Sequence, residues 1–235
     1  RNGLLDTPGW KRFRSLGKNS KKVERMVNQA KTKAYRRDPF WKFGFLVPRT
    51  HGQAMEIDQS NGNSKWHESE GKEMEQLLEY NTFVDKGKDA APPDGYKKIR
   101  VHMVYDVKHD GRHKARLVAG GHLTDPNTDS VYSSVVSLRG IRLVTFLSEL
   151  NNLELWGTDV GNAYLEATTK KRVYIVGGSE FGDLEGHTLV IHKALYGLRS
   201  SGLCWHQRFA DVLRSLNFSP CKLENDIWMR PVDDA

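Results

Sequence analysis

Residues 99–121 read IRVHMVYDVKHDGRHKARLVAGG. Ile99, Val101, Met103, Tyr105 and Val107 alternate with Arg100, His102, Val104, Asp106 and Lys108. A period of two sustained over this length belongs to a strand with one apolar face, not to a helix. Asp110-Gly111 then suits a tight hairpin turn, and residues 114–120 read as the return strand. On that strand Lys114, Arg116 and Val118 share one face. Two cations side by side form a place for an anion, or else an ordinary solvated sheet face.

The flanking sequence predicts helices around this hairpin. Trp66, Met74, Leu77 and Leu78 recur near helical spacing over about 65–80, with Ser64 as N-cap. Residues 136–150 have a wide apolar face and predict a helix that packs on a sheet. A helix over about 202–217 puts Trp205, Phe209, Val212, Leu213 and Leu216 on one face. Residues 153–160 (LELWGTDV) read as a strand, and 172–176 with 188–192 as a β-hairpin around a Gly-rich loop. Residues 41–64 and 86–95 read as irregular connectors, and 21–34 carries only a weak helical pattern. From residue 99 onward the order is β-β-α-β-β-β-α, without a regular βαβ repeat. That order predicts an α+β fold rather than a doubly wound sheet.

The 235 residues suffice for one large domain or two small ones. No apolar run approaches the roughly 20 residues that span a bilayer, so no membrane partner is expected. The first residue is Arg1, which reads as a piece of a longer translation product. Cys204 and Cys221 make no metal-ligand spacing and read as free thiols in or near the core, which suits a reducing, intracellular setting.

Net charge is +7, unevenly spread. Residues 10–42 hold twelve Lys and Arg against Glu24 and Asp38, so that arm carries +10 and the rest of the chain −3. Lys11, Arg12, Arg14, Lys21, Lys22, Arg36 and Arg37 are its candidate nucleic-acid contacts. Trp10, Phe13, Tyr35 and Trp41 are interleaved with the charges and suit base stacking. The alternative is a solvated tail between domains.

Residues 157–167, GTDVGNAYLEA, place a lone carboxylate, Asp159, at the end of an apolar run. Gly161 and Tyr164 follow closely. Taken alone, the stretch is an ordinary turn or one half of a metal site.

Five stretches in order carry a resemblance: KARLVAGG (114–121), LWGTDVGNAYLEA (155–167), VYIV (173–176), ALYGLRSSGLCWHQRF (194–209) and FSPCKLENDIWM (218–229). Together they resemble the reverse transcriptase of copia-type LTR retrotransposons, and NGNSKWHESEGKEMEQLLEYNTF (61–83) resembles the helix that leads into that domain. The resemblance covers about residues 40–230. It implies the fingers and part of the palm of a right-hand polymerase, an antiparallel sheet backed by helices. It implies RNA-directed DNA polymerisation by two-metal nucleotidyl transfer.

By the same resemblance Asp159 is the first metal-binding aspartate and a catalytic residue, with the Val160 carbonyl as a further ligand. The ion is Mg²⁺, with Mn²⁺ as the alternative, because hard cations take oxygen ligands. Gly161, Asn162 and Ala163 match the turn whose N–H groups approach the triphosphate. Tyr164 matches the aromatic gate beneath the sugar. Lys114 and Arg116 match the fingers cations that meet the triphosphate. Tyr196 and Gly197 match the turn lining the nucleotide and template side.

There are departures. The family favours an Arg near position 120 or 121, where this chain has Gly120-Gly121, so one cationic contact is expected to be missing. It also favours a Pro where this chain has Ser-Ser-Gly at 200–202, which is expected to loosen that turn. The family's second carboxylate pair, in an aromatic-x-Asp-Asp hairpin, has no counterpart: Asp233-Asp234 follows Pro231 and lacks the aromatic.

The expected organisation is a basic arm (1–40), a connector and leading helix (41–95), and a truncated fingers and palm (96–235). The expected partners are an RNA template, a DNA primer, deoxynucleoside triphosphates and the rest of a pol polyprotein: thumb, RNase H and integrase. The parent element is expected to work in a cytoplasmic virus-like particle and the nucleus. The isolated chain is expected to be inactive. The alternative is a non-catalytic nucleic-acid-binding remnant of a decayed element.

Overall fold

The computed structural model describes residue 25, residues 38–121 and residues 133–231. It is a mixed α+β architecture of small, mostly antiparallel sheets and helices. Most of the basic arm, with its seven candidate contacts, lies outside the described residues, as do all but one residue of the 21–34 stretch.

Residues 41–64 are not an irregular connector. Strands β1 (Phe40–Lys42) and β2 (Phe45–Val47) form an antiparallel hairpin. Its turn, Phe43 and Gly44, has positive φ at both residues (51° and 80°), the conformation that tight hairpins need. Helix α1 (His51–Asn61) follows, capped by the Thr50 hydroxyl, which accepts from Gln53 N. It stops at left-handed Gly62, whose N–H returns to α1 carbonyls. The caps are local signals. The helix escaped notice because its buried face has few apolar residues, Ala54 and Ile57 beside Asp58.

Helix α2 (Lys65–Glu79) lies where the spacing predicts it, with Ser64 at the N-cap position. The Ser64 hydroxyl bonds to Glu68 instead of the backbone. Buried Asp58 of α1 does the capping, accepting from Trp66 N at 3.2 Å and His67 N at 2.9 Å. Carboxylate, helix dipole and two N–H groups thus lock α1 to α2.

The 99–121 stretch folds as read. Strands β5 (Val101–Val107) and β6 (His113–Ala119) pair in register from Val101↔Ala119 to Val107↔His113. Met103, Tyr105, Val107, Ala115, Leu117 and Ala119 are buried, and Lys114 and Arg116 lie on the opposite face. The buried face packs with Val47, Trp66, Leu77, Ile175 and Leu189 into one core. Trp66 packs edge-on against Tyr105 (5.6 Å) and His113 (4.3 Å).

A second sheet has strand order β3-β8-β7-β4. β7 (Val173–Val176) and β8 (His187–Ile191) form the predicted hairpin. β3 (Phe83–Lys88) and β4 (Lys97–Lys98) were not foreseen, and β3 runs into the expected 86–95 loop. The sequence FVDKGK lacks apolar alternation, so pairing with β8 makes it a strand.

Helix α3 (Leu138–Leu150) forms, with the Ser137 hydroxyl accepting from Gly140 N at 3.0 Å. It does not pack on a sheet: Gly140 is its one buried residue, and Leu138, Ile141, Leu143, Phe146 and Leu150 are exposed. Nor is 153–160 a strand. It is irregular and exposed, with Trp156 86% accessible. A strand needs a partner ladder, and no described strand runs beside this segment.

Helix α4 (Ser201–Ser215) buries Ser201, Cys204 and Ala210. Phe209 and Leu216 of the predicted apolar face are exposed, and Trp205 stacks on Phe209 at 5.4 Å. A short hairpin of β9 (Ser219–Pro220) and β10 (Trp228–Met229) closes against it, where Asp226 meets His206 (2.7 Å) and Ser134 (3.1 Å). Cys204 is buried, Cys221 half-buried, and both are free. Among the described residues no helix is long and apolar enough to cross a membrane.

Candidate functional site

β6, the β5–β6 turn and a largely exposed flank of α2 line an open cavity of about 740 Å³. Lys114, Arg116 and Asp159 all line it. The two strand cations therefore share a cavity with the lone carboxylate that the sequence places much later in the chain. Lys65 and Lys72 of α2 and Lys108 and Arg112 of the β5–β6 hairpin add positive charge, against Glu68 and Glu73. Burial and the neighbouring Arg116 hold Lys114 below the usual lysine range. A cation so placed gains from any anion that enters.

Behind Asp159 the chain turns at Asn162 (φ 52°) into a single turn of 3-10 helix, Ala163–Glu166. Buried Leu165 anchors this turn in the core, which leaves Tyr164 half-buried beside Ala167, Ala194 and Cys204. The Tyr164 ring lies 4.9 Å from Tyr196, tilted by 55°. The Arg116 guanidinium lies 5.1 Å from the centre of the Tyr196 ring, within cation–π range. Arg116, Tyr196 and Tyr164 thus form a continuous chain of contacts. Burial raises the Tyr196 hydroxyl above the usual tyrosine range, and nearby Arg116 opposes that shift. Gly161 is exposed, and the space where its side chain would stand is empty.

The turn at Tyr196-Gly197 is pinned to the end of β6. Ala119 N donates to Tyr196 O at 2.7 Å. Gly197 has φ 88°, and a Cβ there would stand 2.1 Å from Ala119 O. A Cβ on Gly121 would stand 2.0 Å from Gly197 O. Position 121 therefore has no room for the arginine the resemblance anticipates. Beyond it, the Ser201 hydroxyl donates to Leu195 O at 2.6 Å, and Gly202 already belongs to the first turn of α4.

Two buried acids went unnoticed in the sequence. Trp66, Glu70, Glu73 and Leu77 follow helical spacing, so two carboxylates sit on the inward face of α2. Glu70 meets Tyr105 and His51. Glu73 accepts from Leu117 N at 3.0 Å, under the strand that carries Lys114 and Arg116. Acids at core positions of an amphipathic helix were the signal that could have found them.

Asp159 offers a single exposed carboxylate, and no group of three or more His, Cys, Asp or Glu side chains able to hold a metal ion occurs among the described residues. One carboxylate does not fit a two-ion centre. No step is assigned to a metal on these residues.

The family described as reverse transcriptase (RNA-dependent DNA polymerase) matches residues 88–235. The truncated transposon Ty1-A Gag-Pol polyprotein of Saccharomyces cerevisiae is 32% identical over 163 residues, covering 68% of this chain and 13% of that protein. The transposon Ty1-DR5 Gag-Pol polyprotein of the same yeast is 32% identical over 163 residues, covering 68% of this chain and 9% of that protein. The chain thus spans a small fraction of the length of these relatives. No solved structure matches it. From the family match and these relatives, the chain belongs to the reverse transcriptases of Ty1/copia-type retrotransposon polyproteins.

Proposed function

We propose that this chain forms the fingers and part of the palm of a right-hand polymerase and seats the incoming deoxynucleoside triphosphate of RNA-directed DNA synthesis. The observation that carries this reading is the shared cavity of Lys114, Arg116 and Asp159. Lys114 and Arg116 take the phosphates, where charge spreads as the phosphoryl group transfers. Tyr196 supports Arg116 and holds Tyr164, whose ring lies beneath the sugar. Open space at Gly161, beside Asn162 and Ala163, leaves room for the triphosphate to approach the backbone. Asp159, with the Val160 carbonyl, supplies oxygen ligands for one divalent cation, Mg²⁺ by preference. The remaining carboxylates of a two-ion centre have to join from residues outside this set.

In this reading residues 96–235 are the fingers and palm elements, residues 41–95 are the connector and leading helix, and the basic arm, residues 1–40, holds nucleic acid. RNA template, DNA primer and the other segments of a pol polyprotein are the partners, inside the cell.

The test is nucleotide binding by the chain, read by fluorescence of a labelled deoxynucleoside triphosphate. Lys114→Gln and Arg116→Gln are each expected to weaken binding about tenfold, as the loss of a charge-assisted contact predicts. Arg142→Gln, on exposed α3, serves as the control. Equal loss in the control, or no loss in either cavity variant, overturns the reading.

A further inference from the structure

We propose that Glu73 is the internal counter-anion of the Lys114/Arg116 pair, and that a phosphate ligand displaces its charge by driving a proton onto it. The inference rests on the triphosphate reading of the cavity and adds to it a residue and a proton.

Glu73 is 8% exposed, yet it lines the cavity together with both cations. Its Oε1 accepts from Leu117 N at 3.0 Å. That hydrogen bond fixes the carboxylate against β6, where it interacts electrostatically with Lys114 and Arg116. Tyr196 of the 196–197 turn interacts with it electrostatically, and Asp159, Glu68, Lys65, Lys72, Lys108 and Arg112 line the same cavity. Burial pushes the Glu73 carboxyl above its ordinary range, while the Leu117 N–H, Lys114 and Arg116 pull it back. The ionised form is therefore supported first by the Leu117 N–H and then by those two cations.

A phosphate that binds Lys114 and Arg116 takes this support away. It also adds negative charge beside a desolvated carboxylate, and like charges in a shared site cannot both stay ionised at no cost. Glu73 responds by taking up a proton from solvent. No bond forms other than O–H on the carboxylate, and the phosphate is unchanged. Neutral Glu73 still accepts from Leu117 N, so the strand stays anchored. The empty site is thereby partly neutralised and holds weak anions poorly, while a highly charged phosphate is admitted.

The test uses cyclic trimetaphosphate, whose charge is constant between pH 5 and 8, and calorimetry on the whole chain. Glu73→Gln keeps the acceptor for Leu117 N and removes the charge. At pH 8 this variant is expected to bind about tenfold more tightly than the parent, the effect of one unit charge at a few ångströms in a partly solvated site. As pH is lowered and the parent's Glu73 takes up its proton, the two affinities are expected to converge. Lys114, Asp159 and His113 are common to both proteins, so the ratio isolates Glu73. Parent binding at pH 6.5, in buffers of different ionisation heat, must also take up protons, and uptake must persist in His113→Gln. A ratio independent of pH, weaker binding by Glu73→Gln at every pH, or binding without proton uptake overturns the inference and leaves the triphosphate site standing. Failure of the parent to bind trimetaphosphate overturns both.

Discussion

Gly121 and Gly197 meet backbone to backbone: a Cβ on Gly121 would lie 2.0 Å from Gly197 O, and one on Gly197 would lie 2.1 Å from Ala119 O. This contact sets Tyr196 beside the end of β6 and hence beside Arg116. Gly121→Ala and Gly197→Ala are each expected to lower stability by about 1–3 kcal/mol, the range of overpacking with backbone displacement. Gly197→Ala adds the penalty of a left-handed φ. Urea unfolding measures both. An unchanged midpoint in Gly121→Ala would show that the two backbones do not touch.

Asp106 ties the β1–β2 hairpin to β5 through Lys42, 2.5 Å away. That hydrogen bond holds the Asp106 carboxyl below its ordinary range. A depressed carboxylate contributes stability above its unfolded pKa and loses it as pH falls through its folded pKa. Both side chains are more than a third exposed, so the effect is modest. Asp106→Asn is expected to lower stability by under about 1 kcal/mol at neutral pH. The difference should shrink as pH falls below the ordinary carboxylate range. A constant difference across that acid range would place the effect in packing instead.

What the sequence revealed, and what it hid, follows from how local each signal was. The β5–β6 hairpin was legible because Met103, Tyr105 and Val107 alternate with His102, Val104 and Asp106 and Gly111 marks the turn. Helix α2 was legible from Trp66 and Leu77 at helical spacing. Strand β3 was hidden because only its pairing with β8 makes it a strand. The 153–160 segment misled for the opposite reason: its apolar residues suit a strand, but no neighbour pairs with it. At the site, Lys114, Arg116, Asp159, Tyr164 and Tyr196 could be named because each sits in a recognisable motif. Their meeting in space could not, since it is made by contacts between segments far apart in the chain, such as the Gly121–Gly197 approach that sets Tyr196 beside β6. Glu73 carried no motif, only the oddity of an acid on a buried helix face.

The exposed face of α3 and the segment after it should make the chain associate with itself. Phe146 is 63% exposed, Leu150 68% and Trp156 86%. Exposed apolar surface on one helix and the segment that follows it favours aggregation or docking. The double variant Phe146→Lys, Leu150→Lys should raise the concentration at which light scattering begins, with little change in unfolding midpoint. No shift in the scattering onset would mean that the face is not the adhesive surface.

Tyr164 sets a prediction about the sugar. Its ring rests on Tyr196, and Tyr196 in turn lies under Arg116. If a nucleotide has its phosphates at Arg116, its sugar falls beside these rings. In a longer, polymerase-competent chain carrying these residues, Tyr164→Val should admit ribonucleotides while retaining deoxynucleotide incorporation. The ratio of kcat/KM for the two sugars is the measurement. Unaltered discrimination would leave Tyr164 as packing for Ala167, Ala194 and Cys204 alone.

The last prediction concerns catalysis by the 235 residues themselves. Two divalent cations and a triphosphate held together repel or attract strongly, and several carboxylates must fix their separation. Asp159 is one exposed carboxylate, and the other acids lining the cavity are hydrogen-bonded elsewhere. Glu73 is bonded to Leu117 N, and Glu68 to the Ser64 hydroxyl. Asp159 should therefore bind Mg²⁺ only weakly, leaving the ion largely hydrated. Orientation of primer and nucleotide supplies much of the barrier reduction in group transfer, and a partly hydrated ion on a single ligand gives little of it. The chain is expected to show no template-dependent extension of a DNA primer on poly-RNA. In a longer, polymerase-competent chain carrying these residues, Asp159→Asn should lower kcat by about a hundred- to a thousandfold, the scale of losing an electrostatic anchor at the reacting centre. Extension by the 235 residues alone would contradict this account. So would full activity of the longer chain without the Asp159 carboxylate, which would move the ion's first ligand to another residue.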